Sequence, residues 1–182
     1  MIDILFCEAP PDLVKKLGWK GTHNGKGGLV AKPFTPEITQ AMERGQVDCV
    51  FGFETEARKD DVRQRSSGMN EALVKLMRQK NIAYGIPFPI ILSAQGGRRA
   101  QLLGRIMQNI RLARKGKLDI CLASFAEKPG HMRSPSDLSG FAQSLGLRPE
   151  EAKKALLWTE KRILQNKARQ EGRYVSKDLQ IG

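Results

Sequence analysis

Cysteine, histidine and aromatic residues are scarce in this 182-residue chain, which has three Cys, two His and only 6% Phe, Trp and Tyr. Cys7, Cys49 and Cys121 stand singly inside apolar segments, without a CxxC spacing. That excludes a disulfide framework and predicts free thiols packed in a core. His23 and His131 lie far apart, and HxH, HExxH and clustered Cys/His patterns are missing, so no metal site is expected. The longest apolar run, Ile82 to Leu92, is interrupted by Pro87 and Pro89 and is too short to span a bilayer. Asp3 and Glu8 stand where a signal peptide would carry its cationic and apolar regions, so an intracellular, cytoplasmic protein with no membrane association is expected.

The most informative absence is of one charge sign. From Ala72 to Leu118 there is no Asp or Glu, yet the interval holds Lys75, Arg78, Lys80, Arg98, Arg99, Arg105, Arg111, Arg114, Lys115 and Lys117. The whole chain carries 31 Lys and Arg against 19 Asp and Glu, a formal charge of +12. Such a balance favours a polyanionic partner, because clustered cations exchange condensed counterions for phosphate contacts. With 40% hydrophobic residues the chain is long enough to bury one core, and a single domain over 1–170 with a loose tail over 171–182 is expected.

Short apolar segments at Ile2–Phe6, Leu29–Ala31, Val47–Phe53, Ile82–Ile86 and Leu118–Ser124 read as buried strands. Helical spacing recurs at Leu13–Leu17, from Thr35–Pro36 to Gly45, over Met69–Met77, over Gly96–Lys117 and from Pro149 to Gln170. Ser134, Pro135 and Asp137 form an N-cap, first-turn proline and capping-box acid for a helix closed by Gly146. Gly21–Gly28 is turn chemistry, and Glu54–Ser67, charged at both signs, reads as a solvated loop carrying no core. Alternating strands and helices predict an α/β fold of parallel β/α units, either an open sheet or an irregular barrel.

Turned at 100° per residue, the Gly96–Lys117 helix groups Leu102, Leu103, Ile106, Met107, Ile110 and Ala113 on one side. Gln101, Arg105, Gln108, Arg111 and Lys115 fall opposite. A solvated face ordinarily interleaves both signs, so this one-signed face is read as the footprint of nucleic-acid binding. Its arginines suit bidentate phosphate contacts, and the near-absence of aromatics beside them favours structured backbone over single strands. Two other sites fail. GTHNGKG (Gly21–Gly27) has the wrong spacing for a phosphate-binding Walker loop, and Ser124 with His131 lacks a nucleophile elbow and an orienting acid.

Three stretches, SSGMNEALVKLMRQKNIAYGIPFPIIL (Ser66–Leu92), RRAQLLGRIMQNIRLARKGKLDICLASFA (Arg98–Ala126) and MRSPSDLSGFAQSLGL (Met132–Leu147), follow one another in the order of a known family. They resemble the protein component 3 of archaeal and eukaryotic ribonuclease P, the thirty-kilodalton subunit family. The resemblance implies an irregular or incomplete TIM-like barrel similar to the polymerase and histidinol phosphatase metallohydrolases. Where those enzymes open with His-x-His, this chain reads Ile2-Asp3-Ile4, which implies a lost metal site and no catalytic residue. Arg98, Arg105, Asn109, Arg111 and Arg133 match family motif positions, Lys115, Lys117 and His131 join them by proximity, and Arg99 and Arg114 of the carboxylate-free stretch complete the candidate RNA contacts. The implied function is a non-catalytic subunit that steadies the catalytic RNA removing 5′ leaders from precursor tRNA. The RNA would hold the Mg²⁺, the chain itself needing no cofactor. A ferredoxin-like subunit, component 2, is the implied direct protein partner among the other ribonuclease P proteins. A metal-dependent phosphoesterase of the same fold and a general basic RNA-binding module are the alternatives.

Overall fold

The computed structural model describes residues 1–55, 60 and 66–172. Among them six short strands, β1 (Ile2–Ile4), β2 (Gly21–His23), β3 (Ala31–Pro33), β4 (Cys49–Phe51), β5 (Ala83–Gly85) and β6 (Ile120–Cys121), are all parallel. They form two sheets, β1-β2 and β3-β4-β5-β6. Short contacts join the sheets at both seams. Leu5 bridges Ala126 in parallel, and the Ala31 N–H donates to the Gly25 carbonyl at 3.1 Å. Neither seam is a continuous ladder among the described residues.

Side chains alternate across the strands as the pleat requires. Ile4, Ala31, Cys49, Ala83, Cys121 and Phe125 point to a small inner core, while Leu5, Val50, Tyr84 and Leu122 point to the larger core beneath the helices. Those helices are α1 (Pro11–Lys16), α2 (Ile38–Glu43), α3 (Glu71–Gln79), α4 (Phe88–Ser93), α5 (Gly96–Lys115), α6 (Pro135–Ser144) and α7 (Pro149–Gln170). The expected α/β class of parallel strands therefore holds. Cys49 and Cys121 are buried free thiols, and Cys7 is a half-buried one.

Helix α7 covers the N-terminal ends of the strands. Glu160 pairs with the Met1 ammonium at 3.0 Å, Asn166 donates to the Gly28 carbonyl at 2.8 Å and to Asp48 at 3.1 Å, and Lys154 lies 3.9 Å from Asp119. Arg162, 5% exposed, donates to the Asn81 carbonyl at 2.5 Å, lies 3.5 Å from Asp48, and stacks over Trp158. Met1, Gly28, Asp48, Asn81 and Asp119 each immediately or closely precede a strand, so one helix ties five strand starts together.

Several sequence expectations are corrected. Gly21–His23 is a strand and not a turn, because pairing with β1 along Ile2–Ile4 supplies the ladder that its composition does not announce. The third strand is Ala31–Pro33, later than Leu29–Ala31, and as an edge strand it tolerates the missing proline N–H. An extra helix, α4, occupies Phe88–Ser93, with a proline in its first turn. Glu54–Ser67 is not wholly a solvated loop, since Glu54 and Ser67 at its two ends are buried. Residues 56–59 and 61–65 of that segment, and 173–182 of the expected tail, lie outside the described residues. The capping box of α6 forms as expected, with the Asp137 N–H donating to Ser134 Oγ at 3.1 Å.

Candidate nucleic-acid interface

Helix α5 lies in the middle of the carboxylate-free stretch, and its twenty residues extend about 30 Å at 1.5 Å each. Leu102, Ile106, Ile110 and Ala113 are buried against the strands as the periodicity requires. The opposite face divides in two.

Its first part is covered. Arg105 is 1% exposed and Asn109 is fully buried, although both were expected to face RNA. Arg105 donates from Nη1 to the Glu54 carbonyl at 2.9 Å and from Nε to Asp60 Oδ1 at 3.0 Å, with Nη2 at 2.8 Å from the same oxygen. Gln101 donates to the other oxygen of Asp60 at 3.0 Å, and the Ser66 N–H to Oδ1 at 2.8 Å. Burial tends to raise the Asp60 carboxyl, but the hydrogen bonds from Arg105, Gln101 and Ser66 outweigh it and hold the group below its ordinary range. Asn109 donates to Glu54 Oε1 at 2.6 Å and to the Ser67 carbonyl at 2.9 Å, and the Tyr84 hydroxyl donates to the same Glu54 oxygen. Burial pushes the Glu54 carboxyl up, partly opposed by these donors, and burial beside Glu54 pushes the Tyr84 phenol up. Arg105 and Asn109 are thus corrected from surface contacts to internal brackets that fasten the segment after β4 onto α5. A buried Arg-x3-Asn pair at helical i, i+4 spacing, next to the buried Gly104, was the available signal.

Its second part is open but not of one sign. Arg114 grips both oxygens of Glu151 at 3.0 and 2.7 Å and donates to the Gly146 carbonyl at 2.8 Å, and Lys115 meets Glu71 at 2.7 Å. The carboxylates missing from α5 arrive from α3 and α7, so the expected self-repulsion is relieved for these two cations. Arg111 and Lys117 remain exposed without a side-chain partner among the described residues, as do Lys75, Arg78 and Lys80 on and beside α3. Among the described residues Arg98 and Arg99, also exposed, bond only to neutral groups, Gln101 at 2.7 Å and the Ala94 carbonyl at 2.7 Å. Among the described residues these are the cations of the carboxylate-free stretch that can meet phosphate without leaving a carboxylate.

Arg133 and His131 sit elsewhere, after the end of β6. Arg133 donates to the carbonyls of Gly130 at 3.0 Å and Met132 at 2.6 Å and lies over the Phe88 ring. Its backbone N–H donates to Ser124 Oγ at 3.2 Å and its carbonyl accepts from the Trp19 indole at 2.9 Å. The Ser124 N–H in turn donates to Asp3 Oδ1 at 2.7 Å. Asp3 is fully buried, and its desolvation, opposed by the Ser124 and Ile4 bonds, raises its carboxyl to about 6. His131 is half-buried, and its Nδ1 has no hydrogen-bond partner among the described residues. Ser124 therefore orients the loop backbone and is not paired with His131 as nucleophile and base.

At the strands' C-terminal ends, where parallel α/β barrels place their catalytic ligands, Phe6, Phe51 and Phe125 stack on one another. Among the described residues, no group of three or more His, Cys, Asp or Glu is placed to hold a metal ion, and no helix is long and apolar enough to cross a membrane.

The family model of RNase P subunit p30 matches residues 30–171. The ribonuclease P protein component 3 of Methanosarcina mazei is 33% identical over 117 residues, 64% of this chain and 48% of that protein. The component 3 of Methanocaldococcus jannaschii is 28% identical over 93 residues, 51% of this chain and 40% of that protein. The chain thus spans about half the length of the curated relatives it matches. A chain in the cryo-EM structure of an archaeal ribonuclease P with mature tRNA superposes with a TM-score of 0.71 at 18% identity, covering all of this chain and 97% of that one. That likeness establishes a shared fold.

Proposed function

The chain belongs to the RNase P subunit p30 family, and on that premise we propose that it is a protein subunit of ribonuclease P that binds and steadies the RNA removing 5′ leaders from precursor tRNA. The observation that carries this reading is the set of cations on α3 and on and just after α5 that are partnerless or neutrally bonded among the described residues: Arg78, Arg98, Arg99, Arg111 and Lys117. Each can trade a condensed counterion for a phosphate contact without first breaking an ion pair to another described residue. Arg114 and Lys115 reach phosphate only by exchanging Glu151 and Glu71, and Arg133 and His131 flank a separate basic loop.

The role is electrostatic, and the chain supplies no catalytic group and no cofactor of its own. Three phenylalanine rings fill the strand ends where a metal-dependent relative would gather its ligands, and this supports leaving Mg²⁺ to the RNA. The six parallel strands form an irregular, incomplete barrel of the polymerase and histidinol phosphatase type, its two sheets joined at Leu5–Ala126 and Gly25–Ala31. Work in the cytoplasm, beside the ferredoxin-like component 2 and the other protein subunits, follows from the same reading.

Reconstitution of the particle with and without this chain tests it. Omission should slow precursor cleavage or raise its Mg²⁺ requirement, and identical cleavage at all Mg²⁺ concentrations would overturn the proposal.

A further inference from the structure

Three aromatic rings run in a column from the inner core to the surface of the barrel mouth. Phe125 is buried, Phe51 stacks on it at 4.5 Å and 22°, and Phe6 stacks on Phe51 at 5.5 Å and 28°. Phe6 ends the column 36% exposed, one of two large apolar side chains exposed among the described residues.

The column is held in place at some conformational expense. Phe125 adopts φ 47°, a left-handed backbone that is an outlier for a bulky residue and marks a position enforced by its surroundings. A Cβ on Gly85 would lie 2.7 Å from Phe125 Cζ and 2.9 Å from Phe51 Cβ. A Cβ on Gly25 would lie 2.9 Å from Phe6 Cε1, and Gly25 has φ 69°. The lower rings are therefore seated by one glycine and the exposed ring by another.

Gly25, which lies against that exposed ring, is followed by the exposed Lys26, while the exposed carboxylates nearest the ring along the chain are Glu8, two residues after Phe6, and Glu127, next to Ala126. From Lys20 to Pro36 the chain carries Lys20, Lys26 and Lys32 and no carboxylate, and all three lysines are exposed without an ion pair among the described residues. The loop is pinned: His23 Nδ1 accepts from the Gly25 N–H at 3.0 Å, and Asn24 Oδ1 from the Lys26 N–H at 3.1 Å. A rigidly backed aromatic face next to an exposed lysine is the arrangement that takes a base on the ring and its phosphate on Lys26.

We propose that Phe6, backed by Phe51 and Phe125 and flanked by the Gly25–Lys26 loop, is a stacking platform for one unpaired nucleobase of an RNA. The proposal rests on the chain being an RNA-binding subunit, and it adds a single-strand site distinct from the arginines of α5.

The test uses the full chain with a twelve-nucleotide oligoadenylate carrying one 2-aminopurine, and a duplex of the same length. Wild type should quench the 2-aminopurine on binding. Phe6→Leu should abolish the quench and weaken single-strand binding about tenfold, as for loss of one base stack, while leaving duplex binding unchanged. Phe6→Trp should restore the quench. Lys26→Ala, an exposed change, should lower the single-strand salt slope by about 0.7. Binding by wild type without a quench, or equal single-strand binding by Phe6→Leu, overturns the platform while the subunit reading stands. No binding of either RNA by wild type overturns both.

Discussion

The Nη1 of Arg105 donates to the backbone carbonyl of Glu54 at 2.9 Å, across 51 residues of sequence, so a guanidinium from a cationic helix closes the turn that follows β4. Removing it strands a buried carbonyl and the Asp60 carboxylate together. Arg105→Ala should cost about 2 kcal/mol of stability, within the range for leaving a buried carbonyl unsatisfied and for losing a charged hydrogen bond. Urea unfolding checks it, and a loss below about 1 kcal/mol would mean that the bracket is dispensable.

Arg111, six residues further along the same helix and exposed, should behave oppositely. Arg111→Ala should leave stability within about 0.5 kcal/mol and lower the salt slope of RNA binding by about one. Titrations of the cognate RNA at several salt concentrations read this directly. An unchanged slope would remove Arg111 from the interface.

Asp3 makes stability depend on pH. Its carboxyl is raised from 3.8 to about 6 by burial, so the folded chain holds the proton more tightly than the unfolded one. The associated stability is fully present below about pH 4 and is lost as pH rises through about 6, amounting to about 3 kcal/mol. Glu54, raised by burial as well, acts in the same direction. Asp3→Asn should flatten the Asp3 part of the profile. A denaturation series from pH 4 to 8 decides it, and an Asp3→Asn profile parallel to wild type would refute the assignment.

Gly85→Ala should destabilise by about 1–3 kcal/mol, because its methyl would overlap both Phe125 and Phe51 in a packed inner core. Thermal unfolding measures this. Full wild-type stability would mean that the column yields easily, and would weaken the case for a rigid platform at Phe6.

The local elements were largely legible. Leu73, Leu76 and Met77 at helical spacing marked α3, and Ser134 with Asp137 marked the start of α6, because caps and helical periodicity are set by residues within one or two turns. The strand Gly21–His23 was not legible. Its identity comes from pairing with Ile2–Ile4, and a loop-like composition carries no trace of a partner nineteen residues away.

The site divides the same way. By itself the sequence determined that α5 has an apolar side and a cationic side, that no carboxylate on α5 neutralises the latter, and that its ordered motifs resemble those of the ribonuclease P subunit family. Only the tertiary structure decided which of those cations face water. Glu54 and Asp60 cover Arg105 and Asn109, Glu71 reaches Lys115, and Glu151 reaches Arg114, all from segments distant in the chain. The physical reason is range. Helical periodicity fixes the direction of a side chain about its own axis, whereas burial and ion pairing depend on what packs opposite, which here is set by the curvature of the parallel strands and the path of the chain around them.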